Sequence, residues 1–356
     1  MSDEHLDPQQ HGAAAAGLHI GYGIVSVQRP DHDTRSWADL YADELALVTE
    51  AERHGFDSAW VTEHHFTDDG YLSALFPMLA AMAARTERIH LGTDVILAPL
   101  HHPLRLAEDA AAVDCISGGR LVLGLGIGYR DAEFDALGVP KSERTARLVE
   151  HVEVCRKAFT GESFTHHGPV VDVEQLVLRP APPGPPPIWI GAWIDAGIRR
   201  AGRYGDGYVA PSGQVDDCRR RADVFDAAVE ESGRPGKLPF ATMSAVAVGG
   251  ITDAIAAGVA HTTARYGEWY SSSSDEGGGR VVGERIQALS DPTAGIVAGG
   301  PQQVVDGLAP LVELLARNRA HHLVVRLAYP GMARSEAADH IARFAEEVAP
   351  ALRALV

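Results

Sequence analysis

Two hydrophobic patterns take turns along this chain. Short runs that are apolar at nearly every position lie at 18–27 (LHIGYGIVSV), 56–63 (FDSAWVTE), 89–97 (IHLGTDVIL) and 120–128 (RLVLGLGIG). Their β-branched and aromatic residues read as strands. Between them run longer stretches with apolar residues three and four apart, the spacing of amphipathic helices. In 36–55 the apolar face carries Leu40, Leu45 and Val48, with Gly55 as the stop; the helix over 102–119 closes on Gly118 and Gly119. A fourth helix is expected over 143–159. The alternation resumes with strands at 187–192, 206–211, 238–250 and 321–330 and helices at 195–205, 215–233, 252–267, 301–318 and 335–355.

Two segments break the rhythm. Residues 170–180 read as a small hairpin leading into a proline-rich, extended connector at 179–187. Because strands and helices simply resume beyond it, the connector reads as a loop and not as a linker between domains. Residues 268–285 (EWYSSSSDEGGGRVVGER) are rich in Ser and Gly and interrupt the last βα repeats.

Strands that are apolar throughout have both faces covered, which is a property of parallel sheets. Eight of them, each followed by a helix, predict an α/β fold: a (β/α)8 TIM barrel with an insertion before the last βα unit. A doubly wound open sheet is the alternative. It is disfavoured because no G-x-G-x-x-G follows the first strand, and the glycine cluster at 124–128 is weak evidence for one. The expected organisation is a tail over 1–17 and one domain over 18–356.

Composition narrows the partners. A net charge of −17 argues against a nucleic-acid surface. No stretch reaches the ~18 consecutive apolar residues that span a membrane, and the acidic start lacks a secretory signal's cationic region. A cytoplasmic protein is expected. Its three cysteines, Cys115, Cys155 and Cys218, are far apart and read as reduced, buried thiols.

In such a barrel the chemistry sits at the C-terminal ends of the strands. Those ends hold Ser26 and Gln28; Glu63-His64-His65; Asp94; Gly126-Ile127-Gly128-Tyr129; Gly191-Ala192-Trp193; and Arg326 to Tyr329. Four His-His pairs raise the question of a metal, but neighbouring strand residues face opposite ways and several strand ends offer no ligand. No metal is expected. Glu63-His64-His65 suits a proton-handling site, in which one histidine is held in one tautomer by an acid. The remaining ends, rich in glycine and aromatics, suit a flat apolar ligand whose phosphate rests on backbone amides, as at 190–200 (IGAWIDAGIRR).

EHHFTDDG at 63–70 and the long motif at 91–140 (LGTDVILAPLHHPLRLAEDAAAVDCISGGRLVLGLGIGYRDAEFDALGVP) resemble the bacterial luciferase-like flavin-dependent oxidoreductases. The resemblance implies a barrel with an insertion, a flavin-type cofactor and a homodimer. By position, His64 matches the family's active-site histidine, as base or stabiliser of a flavin–oxygen adduct, with Glu63 and His65 as its supports. Asp94-Val95 matches a pair joined by a non-prolyl cis peptide behind the flavin ring. Ser26, Gly126, Gly128, Tyr129, Gly191, Ala192, Trp193 and Ile194 fall where the cofactor is held. Residues 266–295 fall where the family carries a mobile lid. The implied activity is that of a monooxygenase using reduced FMN, supplied by a separate reductase, and O2 to oxidise a small organic molecule.

The chain also departs from luciferase. Ile127 stands where a phosphate-binding arginine is expected, Gly126 replaces a cysteine, and Trp193-Ile194 replace a Glu-Ser pair. The GYRDAEF version of the motif resembles relatives that use a 5-deazaflavin coenzyme. Hydride transfer with that coenzyme is therefore the alternative activity, and a non-catalytic flavin-binding protein a second. EHHF and the lid favour FMN.

Overall fold

The computed structural model describes residues 16–211, 214–234, 236–273, 291–317 and 319–356. Strands without a polar face must be covered on both sides, and a closed barrel inside a ring of helices does this. The barrel strands are β1 (Gly17–Val25), β2 (Ser58–Val61), β3 (His90–Thr93), β4 (Leu121–Gly126), β5 (Ile188–Gly191), β6 (Gly207–Ala210), β7 (Phe240–Val248) and β8 (Ala320–Arg326). All pair in parallel, each with the next, and β8 closes the circle onto β1.

The barrel interior is a compact cluster of Trp60, Val122, Trp189, Val209, Ala241 and Val324, with the two indoles 5.6 Å apart. Glycines on neighbouring strands make room for them: a Cβ at Gly92 would lie 2.4 Å from Trp60, and one at Gly207 2.7 Å from Trp189. Truncating either tryptophan to alanine is expected to cost about 3–5 kcal/mol.

Outside the barrel lie α1 (Trp37–Arg53), α2 (Leu75–Ala83), α3 (Pro103–Ser117), α4 (Asp131–Leu137), α5 (Arg144–Phe159), α6 (Asp195–Tyr204), α7 (Val215–Glu231), α8 (Asp253–Ser271), α9 (Pro301–Leu315) and α10 (Arg334–Arg343). Ser36 starts α1 with a capping box to Asp39, and α3 ends where Gly118 takes φ 69°. Leu40 and Val48 are buried as the apolar face of α1 requires, while Leu45 is half-buried.

Several expectations need correction. The final helix runs without a break over residues 334–353, but a π-helical turn, Phe344–Val348, separates α10 from Ala349–Arg353. Helix α8 runs on to Ser271, four residues past its expected end, so the first residues of the expected lid are helical. Residues 274–290 of that lid lie outside the described residues, as do 1–15 of the expected tail; Gly17 already belongs to β1. The hairpin expected over 170–180 lies earlier, with Phe164–His167 paired to Asp172–Leu176. Helix α4 was not foreseen. Cys155 and Cys218 are buried free thiols, but Cys115 is exposed on the outer face of α3.

Candidate functional site

His64 lies just past β2, at the C-terminal mouth of the barrel, and is only 5% exposed. Aromatic rings from three parts of the chain enclose its imidazole. Tyr71, in the loop after β2, is 4.8 Å away between ring centres; Tyr129, after β4, is 5.6 Å away. Helix α8 lays Tyr266 and Trp269 over it at 5.7 and 4.7 Å. Tyr270 stacks on Tyr129 at 4.2 Å and meets Trp193, after β5, edge-on at 5.8 Å. Helix α8 thus roofs the mouth with residues three and four apart on one face.

The acid that holds His64 is Glu133, from the unforeseen helix α4. Its Oε1 lies 2.9 Å from His64 Nδ1, and the same oxygen accepts from the His65 N–H at 3.0 Å and from Arg130 Nη1 at 2.9 Å. Burial pushes this carboxyl up, but the bonds from His64 and His65 and the Arg130 charge outweigh it and leave the group below its ordinary range. As a carboxylate, Glu133 can only accept. The proton on that side therefore belongs to Nδ1, and Nε2 is left as the proton-exchanging atom. Arg130 also donates to the His65 carbonyl at 2.7 Å and stacks over Trp269 at 4.4 Å, tying the base of the site to its roof.

Glu63 does not support His64, as the sequence suggested; it turns the other way, because adjacent residues past a strand alternate in direction. Its Oε1 accepts from His65 Nε2 at 2.7 Å and lies 2.8 Å from His101 Nε2, while Oε2 accepts from the Leu97 N–H at 2.6 Å. Burial raises the Glu63 carboxyl, but His101 and His65 together hold it down to about 2. Glu63, His65 and His101 are the one trio among the described residues with ligand atoms close enough for a metal ion. Two nitrogens and an oxygen on one zinc would stand roughly 3.3 Å apart. Here the ring nitrogens sit within hydrogen-bonding distance of the carboxylate, so the trio is a clamp fastening β2 to the loop after β3.

That loop carries Asp94 and Val95, joined by a cis peptide. Val95 is wedged between the ends of β4 and β5: a Cβ at Gly126 would lie 2.4 Å from one of its methyls, and a Cβ at Gly191 2.7 Å from the other. Both glycines are thus required by packing, not only by a ligand's approach. Burial pushes the Asp94 carboxyl up to about 7.

The remaining predicted residues divide. Gly128 takes φ 70° and its carbonyl accepts from Arg144 at 3.1 Å. Ala192 offers its carbonyl to Tyr208 at 2.7 Å. Ile194 caps α6 without a side-chain bond and is exposed. Ser26 is apart from these: it lies across the barrel, where its hydroxyl donates to Gln28 at 3.0 Å. Two cations were missed. Arg144 of α5 and Arg200 of α6 flank the β4–β5 side, and burial plus the nearby Arg144 charge lower the Arg200 pKa. An anion there would relieve both effects. These arginines, the wedge of Val95 and the aromatic box fit a flat ligand with a phosphate tail.

The sequence model of luciferase-like monooxygenases matches residues 18–318. An F420-dependent glucose-6-phosphate dehydrogenase of Nakamurella multipartita is 34% identical over 212 residues, 52% of this chain and 62% of that one. A 4-hydroxyprotoasukamycin monooxygenase of Streptomyces nodosus subsp. asukaensis is 30% identical over 209 residues, 54% of each chain. The chain spans between about half and three-fifths of the length of the first curated relatives it matches. Among solved structures, the oxygenating constituent of the 3,6-diketocamphane monooxygenase of Pseudomonas putida, in complex with FMN, superposes with a TM-score of 0.74 at 20% identity. It covers 95% of this chain and 99% of that one.

Proposed function

The chain belongs to the luciferase-like monooxygenase family, and from that premise we propose that it is a flavin-type oxidoreductase acting as an FMN-dependent monooxygenase. In this reading a separate reductase delivers reduced FMN, and the protein works as a homodimer on a small organic substrate with O2. The observation that carries the reading is His64 oriented by Glu133 inside a box of aromatic rings at the barrel mouth.

Bound reduced flavin would supply two electrons and activate oxygen. The chain supplies the rest. Val95 would back the ring system, and the amides at the start of α6, with Arg144 and Arg200, would hold the phosphate in place of the arginine that Ile127 replaces. The Glu133 carboxylate fixes Nδ1–H, so that His64 Nε2 exchanges a proton with the reacting centre. The roof of Tyr266, Trp269 and Tyr270 excludes water from that centre.

A second reading, hydride transfer with a deazaflavin coenzyme, is favoured by a specific observation: two of the curated relatives, both F420-dependent glucose-6-phosphate dehydrogenases, share 34% and 35% identity with the matched parts of this chain. A non-catalytic flavin carrier would have no use for a buried histidine held in one tautomer. Oxygen uptake with chemically reduced FMN tests the proposal. The monooxygenase reading expects uptake above the free-flavin rate that depends on His64; a rate equal to that of free flavin contradicts it.

A further inference from the structure

Side chains alternate along β8, and residues 322, 324 and 326 share one face. His322 and Val324 of that face pack against Trp60 and Trp189 inside the barrel. Arg326 is the next residue up, at the rim. It is 9% exposed, and no carboxylate lies within 4.0 Å of it among the described residues. Its two hydrogen bonds are long: Nε to the Ala328 carbonyl at 3.4 Å and Nη2 to Ser26 Oγ at 3.5 Å. A guanidinium so buried normally has a paired anion, because desolvating the charge without one is strongly unfavourable.

The guanidinium lines a cleft between the ends of β1 and β8 and helices α1 and α10, with Ser26, Gln28, Arg35, Glu44 and Arg334. The other two arginines are already committed. Arg35 pairs with Asp33 and Asp43, and Arg334 with Asp43 at 3.7 Å. Burial pushes Glu44 up to about 7, against the Arg326 and Arg35 charges, which favour its ionised form. The cleft adjoins His64 through two backbone bonds: the Leu72 N–H donates to the Ser26 carbonyl at 2.8 Å, and the His64 N–H to the Leu72 carbonyl at 3.1 Å.

The strand order puts β8 and β1 across the barrel from β4 and β5, beyond whose ends lie Arg144, Arg200 and the start of α6. A cofactor phosphate held there leaves Arg326 on the opposite, substrate side. We propose that Arg326 binds the substrate's oxyanion, so that the molecule oxidised here is a small organic acid whose carboxylate, phosphate or sulfonate pairs with this guanidinium in the Ser26 cleft. The proposal rests on the flavin reading only for what happens next to the acid; the anion contact itself is a property of the protein without cofactor. Arginine suits the role because its planar fork matches an oxyanion in two bonds.

Thermal-shift titrations of the full chain without flavin, using inorganic phosphate, sulfate and benzoate, test it. Saturable stabilisation is expected for at least one probe, weakened about ten- to a hundredfold in Arg326→Gln, as for the loss of a charged hydrogen-bonded pair. Arg326→Lys keeps the charge without the fork and is expected to fall between; it serves as the readout should the Gln variant fold poorly. In parallel, riboflavin and FMN are titrated against each protein. Equal affinities in wild type and Arg326→Gln support the assignment to substrate. A variant that loses FMN but keeps riboflavin overturns it, because the arginine then grips the cofactor phosphate. Identical anion responses in wild type and Arg326→Gln, or none in wild type, also overturn it. Failure of every flavin to bind, with the anion response intact, refutes the flavin reading instead.

Discussion

His64 Nδ1 and Glu133 Oε1 stand 2.9 Å apart, although 69 residues separate them in sequence. The contact fixes a histidine tautomer at the barrel mouth, and it depends on a seven-residue helix that also buries Phe134 and pairs Asp131 with Lys141. Glu133→Gln keeps the shape but cannot hold Nδ1–H by charge. Turnover is expected to fall by about a hundredfold, the usual scale for losing an oriented proton-transfer group, and His64→Ala to match it. The double variant should be no worse than either single one, because the two residues act as a unit. Flavin affinity should stay within a few fold in all three. An active Glu133→Gln enzyme contradicts the pairing.

The wedge of Val95 leads to a stability prediction. An alanine methyl at Gly126 would press on Val95, which Gly191 confines from the other side and which is stiff about χ1. Gly126→Ala is expected to destabilise by about 1–3 kcal/mol, the range for overpacked cores. A lower urea midpoint with unchanged slope is the check.

The roof over His64 gives a third test. Trp269→Ala opens the imidazole to water and removes the partner of Arg130. If the roof shields an oxygen intermediate, a larger share of the oxygen consumed should appear as hydrogen peroxide rather than product. An unchanged peroxide share would mean that the roof serves packing alone.

At the far end of the barrel, burial holds His322 well below its ordinary range, and neither ring nitrogen has a hydrogen-bond partner among the described residues. The unfolded chain takes up a proton there below about pH 6.5, while the folded chain does not. This residue therefore removes about 1.4 kcal/mol of stability per unit as pH falls below that point. Glu44, Asp94 and Asp114, with raised carboxyls, act in the opposite sense over the same window. The comparison must therefore be between variants: His322→Leu should gain on wild type as pH falls from 7 to 5. Parallel stability curves would refute the assignment.

Much of this was legible in the chain. The eight strands declared themselves because both faces are buried, as in SAWV of β2 and LVLGLG of β4, where no position had to be polar. His64 stood out beside a strand end. Its acid did not: GYRDAEF looks like a loop, since a seven-residue helix carries too few turns to show a period, and Glu63 next door offered a more obvious carboxylate. Contacts between distant segments left no local trace either, as with His101 on Glu63. Tyr266, Trp269 and Tyr270 have helical spacing but do not read as a stripe, because the Ser- and Gly-rich run after Gly267 reads as the end of the helix. Arg326 was seen as a strand end and given no task, because whether a cation is paired is settled only in three dimensions.

The central claim is that the barrel mouth is a flavin site that takes FMN. Titrating the protein with FMN and with the deazaflavin coenzyme, and following quenching of both tryptophan and flavin fluorescence, tests it most directly. Saturable FMN binding, tighter than that of deazaflavin and weakened by Arg144→Ala and Arg200→Ala, is the predicted result. Tight deazaflavin binding with no binding of FMN would contradict it.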